Sequence, residues 1–270
     1  MKFRQLAASV SLVVSSVIAL SGTPAQAFSF KTNYTAALDG KDAAKGDIIL
    51  NSVTLSNGDV INAFTLINTA NILSNDVYTG GNSGAASADI GDKATTGLRE
   101  EALSNEGAKA VLNNLNLNNI IDTEDKGNFI LDLVFANAVD NIFIWERGQN
   151  SRLDIQALDA NGNTIGNKVQ LANSKNWDYA GFKIDTQEIG GAQKVGSIGV
   201  SLADLGIETG YVSALRVFSE GASYKGPDFK VMGSVADVPE PSALFGLGVV
   251  AAGAIATRRR HQSQAAPQNA

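Results

Sequence analysis

The chain of 270 residues contains no cysteine and a single histidine, His261, close to its C-terminal end. Without cysteine there is neither a disulfide framework nor a thiolate metal site. Without histidine in the main body, Ser-His-Asp triads, His-ligated zinc and imidazole acid–base catalysis are excluded there. Charge is also sparse. Asp, Glu, Lys and Arg make up 18% of the residues against 44% hydrophobic, the balance of a globular chain rather than a disordered one. No repeat of fixed period runs along the sequence.

The two ends are strongly patterned. Lys2 and Arg4 precede an apolar run from Leu6 to Leu20, which Ser21, Gly22 and Pro24 break before Ala25-Gln26-Ala27. Positive charge, a short apolar segment and small residues at the cleavage positions predict a signal peptide over 1–27, cut after Ala27 by signal peptidase. At the other end, Val238-Pro239-Glu240-Pro241-Ser242 leads into an apolar stretch from Ala243 to Ala256, then Arg258-Arg259-Arg260. As a helix, Pro241 to Thr257 spans roughly 25 Å, and snorkelling arginines extend it toward a bilayer core of about 30 Å. The arginine cluster predicts a cytoplasmic C-terminus, with a polar cytoplasmic tail over 261–270 and residues 28–237 on the far side of the inner membrane.

Pro239-Glu240-Pro241, the Gly/Ala-rich span and the arginines Arg258, Arg259 and Arg260 resemble the PEP-CTERM sorting signal, over 238–260. The resemblance implies an exosortase as processing partner. It also implies an inner-membrane-anchored precursor that is later passed to the cell surface or the extracellular matrix. Phe28-Ser29-Phe30, the stretch Phe129–Glu146 and Leu215-Arg216-Val217-Phe218 are also similar to an exosortase-dependent surface protein family known from cyanobacteria. That second likeness implies a cell-surface class and no activity.

Setting aside Lys2, Arg4, Arg258, Arg259, Arg260 and Glu240 leaves the 28–237 ectodomain with 16 basic and 26 acidic residues, a net charge of −10. Such a surface repels nucleic acid and anionic lipid, so no nucleic-acid partner is expected. Phe129, Leu131, Leu133 and Phe135 fall on one face at period two, as in a half-buried strand. Strands are also expected over Asp47–Leu55, Val60–Ile67, Asn141–Arg147, Arg152–Leu158, Thr164–Leu171, Gly181–Asp185, Val195–Leu202, Tyr211–Ser219 and Phe229–Gly233. Turn residues separate them, with Asn57-Gly58 as a hairpin signal. Glu106–Leu115 has helical spacing, and Thr79–Thr96, rich in Gly, Ser, Ala and Asp, reads as a long surface loop. The expected fold is a mainly β, jelly-roll-like β-sandwich with one short helix, flanked by the signal peptide and a C-terminal transmembrane helix.

Three patterns carry candidate chemistry. Asp159-Ala160-Asn161-Gly162-Asn163 places oxygen-bearing side chains at Asp159, Asn161 and Asn163, a set that suits calcium and equally suits an Asx-rich hairpin turn. Asp122-Thr123-Glu124-Asp125 is a second acidic group, suited to calcium and equally to carboxylates simply solvated at a loop. Glu146, Asp132 and Asp154 are the carboxylates available to a glycosidase, with alternation placing Asp132 and Asp154 on the wet faces of their strands. Trp177 and Tyr179, in the polar segment 173–179, are rings that could stack on sugars, while Trp177 also fits as a lid folded back over the core. The reading that follows is a structural or adhesive surface protein with no catalysis and no resident cofactor. The alternative is an exopolysaccharide-binding module, with calcium assisting.

If an exosortase reads the Pro239-Glu240-Pro241 motif, Pro239→Ala is expected to leave uncut precursor in the membrane fraction. Immunoblotting of fractionated cells checks this, and normal release of the variant would count against the assignment.

Overall fold

The computed structural model describes residues 27–77, 87–90, 102–172, 177–186 and 191–236. Most of the expected signal peptide, the sorting segment with Pro239, Glu240, Pro241 and Arg258 to Arg260, and the tail lie outside the described residues. Among the described residues no helix is long and apolar enough to cross a membrane.

The described residues form fourteen strands and one α-helix. In order these are β1 (Phe30–Ala36), β2 (Ile48–Leu55), β3 (Val60–Ile61), β4 (Phe64–Thr65), β5 (Ile67–Asn75) and β6 (Ser87–Ile90), then α1 (Asn105–Leu112). There follow β7 (Asn119–Asp122), β8 (Asn128–Arg147), β9 (Arg152–Leu158), β10 (Thr164–Ala172), β11 (Asp178–Ile184), β12 (Gln193–Ser201), β13 (Val212–Glu220) and β14 (Asp228–Val235). A six-residue 3₁₀ turn, Gly40–Lys45, joins β1 to β2.

Strand β8 organises the rest. The sequence pattern predicts two strands, Phe129–Phe135 and Asn141–Arg147, but the chain forms one of 20 residues. Its first half pairs with β5 on one side and β13 on the other, and β9 and β10 extend the sheet beyond β13. Its second half pairs with β12 and β14, with β11 beyond β12 and β7 and β6 beyond β14. One strand therefore belongs to two ladders that diverge along its length.

The second half of β8 is apolar at every position from Ile142 to Trp145, the signature of a strand buried on both faces. Ile142 and Ile144, with Ile198, Val200, Phe229 and Val231, join the larger core, against the β5, β9 and β13 side chains and α1. Phe143 and Trp145, with Val195 and Met232, point the other way into a second core completed by Phe30, Ile48, Leu50 and Val53 of β1 and β2. The 11-stranded sheet that β8 organises is thus capped by a second sheet of three strands, ordered β1-β2-β3, an arrangement consistent with the expected β-sandwich. Edge-on ring contacts link this cap to the centre: Phe30 lies 5.1 Å from Phe143 and 5.5 Å from Trp145 between centroids, and the Trp145 indole N–H donates to Thr32 Oγ1 at 3.0 Å.

The expected strand Val60–Ile67 is divided among three elements because the chain changes sheets there. β3 completes the cap, β4 pairs with β14, and β5 pairs with β8. The hairpin at Asn57-Gly58 forms, with Gly58 at φ +93°. The helix begins one residue earlier and ends three residues sooner than its apolar spacing predicts, with Ser104 Oγ accepting the Gly107 N–H as its N-cap. Buried Lys230 donates to Val111 O and Asn114 Oδ1 where the helix ends, and burial pushes its ammonium well below its ordinary pKa. Of the loop expected over Thr79–Thr96, the described part is strand β6.

Asparagines fasten the cap to the core. Asn116 Oδ1 accepts the backbone N–H groups of Ile48 and Asn118, its Nδ2 donates to Asp47 Oδ1, and Asn118 Nδ2 donates to Gly46 O. Asn116→Ala would strand two buried N–H donors, and is expected to lower unfolding free energy by about 2 to 3 kcal/mol in urea titrations.

Candidate functional site

Two edge strands lie side by side where the cap meets the central sheet. Among the described strands, β1 pairs only with β2 and β11 only with β12. Between β12 and β11 the register shifts: Tyr179 faces Gly196, yet Lys183 faces Lys194. Four steps along β11 thus match two along β12, a bulge of two extra residues around Gly181. Gly181 sits at φ +95°, a conformation that side chains rarely adopt. The bulge keeps Ala180, Phe182 and Ile184 turned into the second core while Tyr179, Gly181 and Lys183 face solvent. Tyr34 of β1 closes the junction: its hydroxyl donates to Gly181 O at 2.9 Å, and its ring lies 5.1 Å from that of Phe182.

A groove follows these strands on both sides of the Tyr34–Gly181 bond. One hollow, of about 600 Å³, is walled by Phe30, Lys31, Tyr34, Thr54, Ser56, Asp178 and Tyr179 among others. The other, of about 360 Å³, shares Tyr34, Tyr179 and Gly181 and continues past Lys41, Lys183 and Ala192. Tyr179 is 49% exposed, and Lys194 Nζ lies 5.3 Å from its ring centroid. An exposed ring amid hydroxyl and charged groups in an open trough suits an extended polar polymer.

The two rings expected to act together are separated by burial. Trp177 is only 4% exposed and packs in the larger core, and its indole N–H donates to Ser151 O at 3.1 Å. Its faces are covered by protein, so Tyr179 is the ring of that pair left to meet a ligand. Tyr34, which the sequence reading passed over, enters the groove through its hydroxyl bond to Gly181 O, 147 positions along the chain.

Trp177 belongs instead to a buried corner. Gln149, at φ +59°, donates its N–H to Glu146 Oε2 at 2.7 Å and its side-chain amide to Trp177 O at 3.3 Å. Ser151 Oγ donates to Lys225 O at 2.8 Å, and Lys225 also has positive φ, +58°. Two non-glycine residues in the left-handed region thus hold the β8–β9 and β13–β14 turns together. Glu146 is fully buried opposite Phe229 and Gly196, and burial pushes its carboxyl up to about 8. On the opposite face of β8, Arg147 pairs with Asp228 at 2.7 Å and reaches Asp122 at 3.8 Å. Burial still outweighs Arg147 at Asp228 and raises that carboxyl to about 6.

The carboxylates read as wet are in fact covered. Asp154 is fully buried, taking Arg152 Nε and Nη2 at 2.9 and 2.8 Å, Tyr224 Oη at 2.8 Å and Lys168 Nζ at 3.2 Å. Burial alone would raise its pKa, but these donors together hold it below the ordinary value. Asp132 is 8% exposed and forms a two-pronged bond with Arg216 at 2.7 and 2.8 Å. Long neighbouring side chains lie over both, which strand alternation does not register. Asp122, expected in a solvated acidic loop, is buried at the end of β7.

At the β9–β10 hairpin, Asp159 Oδ1 accepts the backbone N–H groups of Asn161 and Asn163, and Asn163 Nδ2 donates to Asp159 Oδ2 at 3.1 Å. The Asn163 side chain leads these bonds in lowering the Asp159 pKa. The three side chains therefore shape an Asx turn. Among the described residues no three His, Cys, Asp or Glu side chains gather as a metal centre.

Residues 237–260 match the PEP-CTERM protein-sorting motif. The chain thus carries the sorting signal of an exported, exosortase-processed protein. No curated protein matches it.

Glu146 makes stability depend on pH with a definite sign. Its carboxyl titrates near 4.5 when unfolded and near 8 when folded, so the folded state keeps a proton that the unfolded state releases. Its contribution is most favourable at acid pH and declines as pH rises through that window, by up to about 1.4 kcal/mol per unit. Glu146→Gln, which imitates the protonated acid, is expected to raise the melting temperature near pH 8 and to change it little near pH 4. Calorimetry of both proteins across this range checks it, and parallel curves would mean that Glu146 titrates normally.

Proposed function

We propose that this exported, exosortase-sorted chain is a non-catalytic adhesive protein of the cell surface or extracellular matrix, and that its ectodomain holds exopolysaccharide in the β1–β11 groove. The observation that carries the reading is the trough itself, with Tyr179 half exposed between two edge strands and Tyr34 bridging its middle. A tyrosine in this position offers an apolar face to the C–H side of a sugar ring, and the neighbouring Thr54, Ser56 and Asp178 offer partners for hydroxyl groups.

Absence of catalysis is part of the proposal. The main body has no histidine or cysteine to act as base or nucleophile. Of the carboxylates a glycosidase would use, Glu146 is buried, while Asp154 and Asp132 are held by arginines. Asp178, the acid in the groove wall, has no second carboxylate beside it there. Since the Asp159 turn satisfies itself with amide donors, we also propose that binding proceeds without calcium.

The test is binding of the full-length chain, purified in mild detergent, to the exopolysaccharide of the organism that makes it. Tyr179→Ala is expected to weaken binding about tenfold or more, as loss of one stacking ring would, while leaving the melting temperature unchanged. Trp177→Ala should act in the opposite way, costing about 3 to 5 kcal/mol of stability by emptying a core position. EDTA should change neither result. Saturable binding indifferent to Tyr179 would move the site elsewhere, and no binding would leave a structural protein that works through protein partners.

A further inference from the structure

Cations gather on the groove in a domain that is otherwise strongly acidic. Lys31 stands in the wall of the larger hollow, and Lys41 and Lys183 in that of the smaller. Lys194 lies over the Tyr179 ring. All four are exposed, and none forms an ion pair with another described residue. Against them the two walls contribute one carboxylate, Asp178. The next acid along the chain from Lys41 is Asp42, which is paired with Lys45 at 3.5 Å.

The contrast with the rest of the domain gives this arrangement its meaning. Over 28–237 acids outnumber bases by ten, so a lysine placed at random on the surface would have acidic neighbours. Elsewhere Arg147, Arg152, Lys168 and Arg216 are committed to aspartates. Lys109, Lys126 and Lys225 form no ion pair with a described residue either, but they stand singly on α1 and in two loops, outside the groove walls. Lys31, Lys41, Lys183 and Lys194 share one trough, spaced along β1, the 3₁₀ turn, β11 and β12. A polymer lying along the trough would meet positive charge at intervals and aromatic surface at Tyr179.

We propose that the groove selects an acidic polysaccharide, one whose sugar rings carry carboxylate or sulfate groups at regular intervals. The proposal rests on the glycan-binding reading of the same groove and adds its charge. Tyr179 would stack on a ring face, and the flanking lysines would meet the anionic groups of adjoining sugars. The acidic remainder of the domain would repel the same polymer and confine it to the trough.

The experiment titrates the full-length chain in mild detergent with polygalacturonate, with neutral dextran of similar length and with poly-glutamate, at low and moderate ionic strength. Polygalacturonate is expected to bind about tenfold or more tightly than dextran at low salt, and to lose most of that advantage as salt rises. Lys31→Ala and Lys183→Ala, both at exposed positions, should each weaken polygalacturonate binding roughly two- to fivefold with the melting temperature unchanged, and weaken dextran binding less. Equal affinity for polygalacturonate and dextran would overturn the acidic selection while sustaining the glycan reading. Poly-glutamate binding as tightly as polygalacturonate, with Tyr179→Ala indifferent, would show a site for polyanions in general and overturn the proposal. Failure to bind either sugar polymer would remove the glycan reading as well.

Discussion

The architecture depends on the burial of both faces of the second half of β8. Four consecutive apolar side chains, Ile142 to Trp145, alternate between two cores, so neither face can be left to water. The five-strand ladder through β13 and β5 and the larger core cover one side. The other side would remain open without β1, β2 and β3, and the aromatic contacts of Phe30 with Phe143 and Trp145 bring that cap down onto it. The groove is a by-product of this requirement. A separate small sheet laid across a larger one leaves its own edge strand beside the edge strand β11, and the trough is the seam between them.

The buried polar groups follow the same geometry. Where the centre of β8 ends, Glu146 and Arg147 continue the alternation into the two cores, and each requires a local remedy. Arg147 finds carboxylates on neighbouring strands of its own face, Asp228 and Asp122. Glu146 forms no ion pair among the described residues and takes the other remedy, retaining its proton. Adjacent residues of opposite charge thus avoid pairing with each other because the pleat sends them to opposite sides of one sheet. The strained backbone at Gln149 and Lys225 lies beside Glu146, where turn and side-chain demands compete.

The legible parts of the sequence were those with local causes. Period-two alternation at Phe129–Phe135, the Asn57-Gly58 turn and the apolar spacing of α1 all express chemistry within a few residues, and each element formed, although β8 runs on to Arg147 and α1 ends at Leu112. What depended on distant partners was hidden. β1, with the sequence FKTNYTA, has no clean alternation, and it forms because its aromatic residues meet Phe143, Trp145 and Phe182 from far along the chain. The division of Val60–Ile67 among three strands of two sheets follows from where β14 and β8 lie, not from its own composition. The same limit applied to the groove. Tyr179 stood out as a ring in a polar segment, but the partnership with Tyr34 and the burial of Trp177 are products of the assembled sheets. Asp154 and Asp132 misled because alternation tells which face a side chain takes, and says nothing of what later covers it.

The bulge in β11 has a consequence for self-association. Copies of an exported protein meet one another, and a regular, unpartnered sheet edge would invite those copies to zip together into fibres. Two extra residues around Gly181 break the even spacing of amide and carbonyl groups that an incoming strand would need, and the Tyr34 hydroxyl already occupies Gly181 O. The edge is therefore a poor template for a second polypeptide strand. Copies of the chain can crowd together without this edge becoming a seed for their own aggregation.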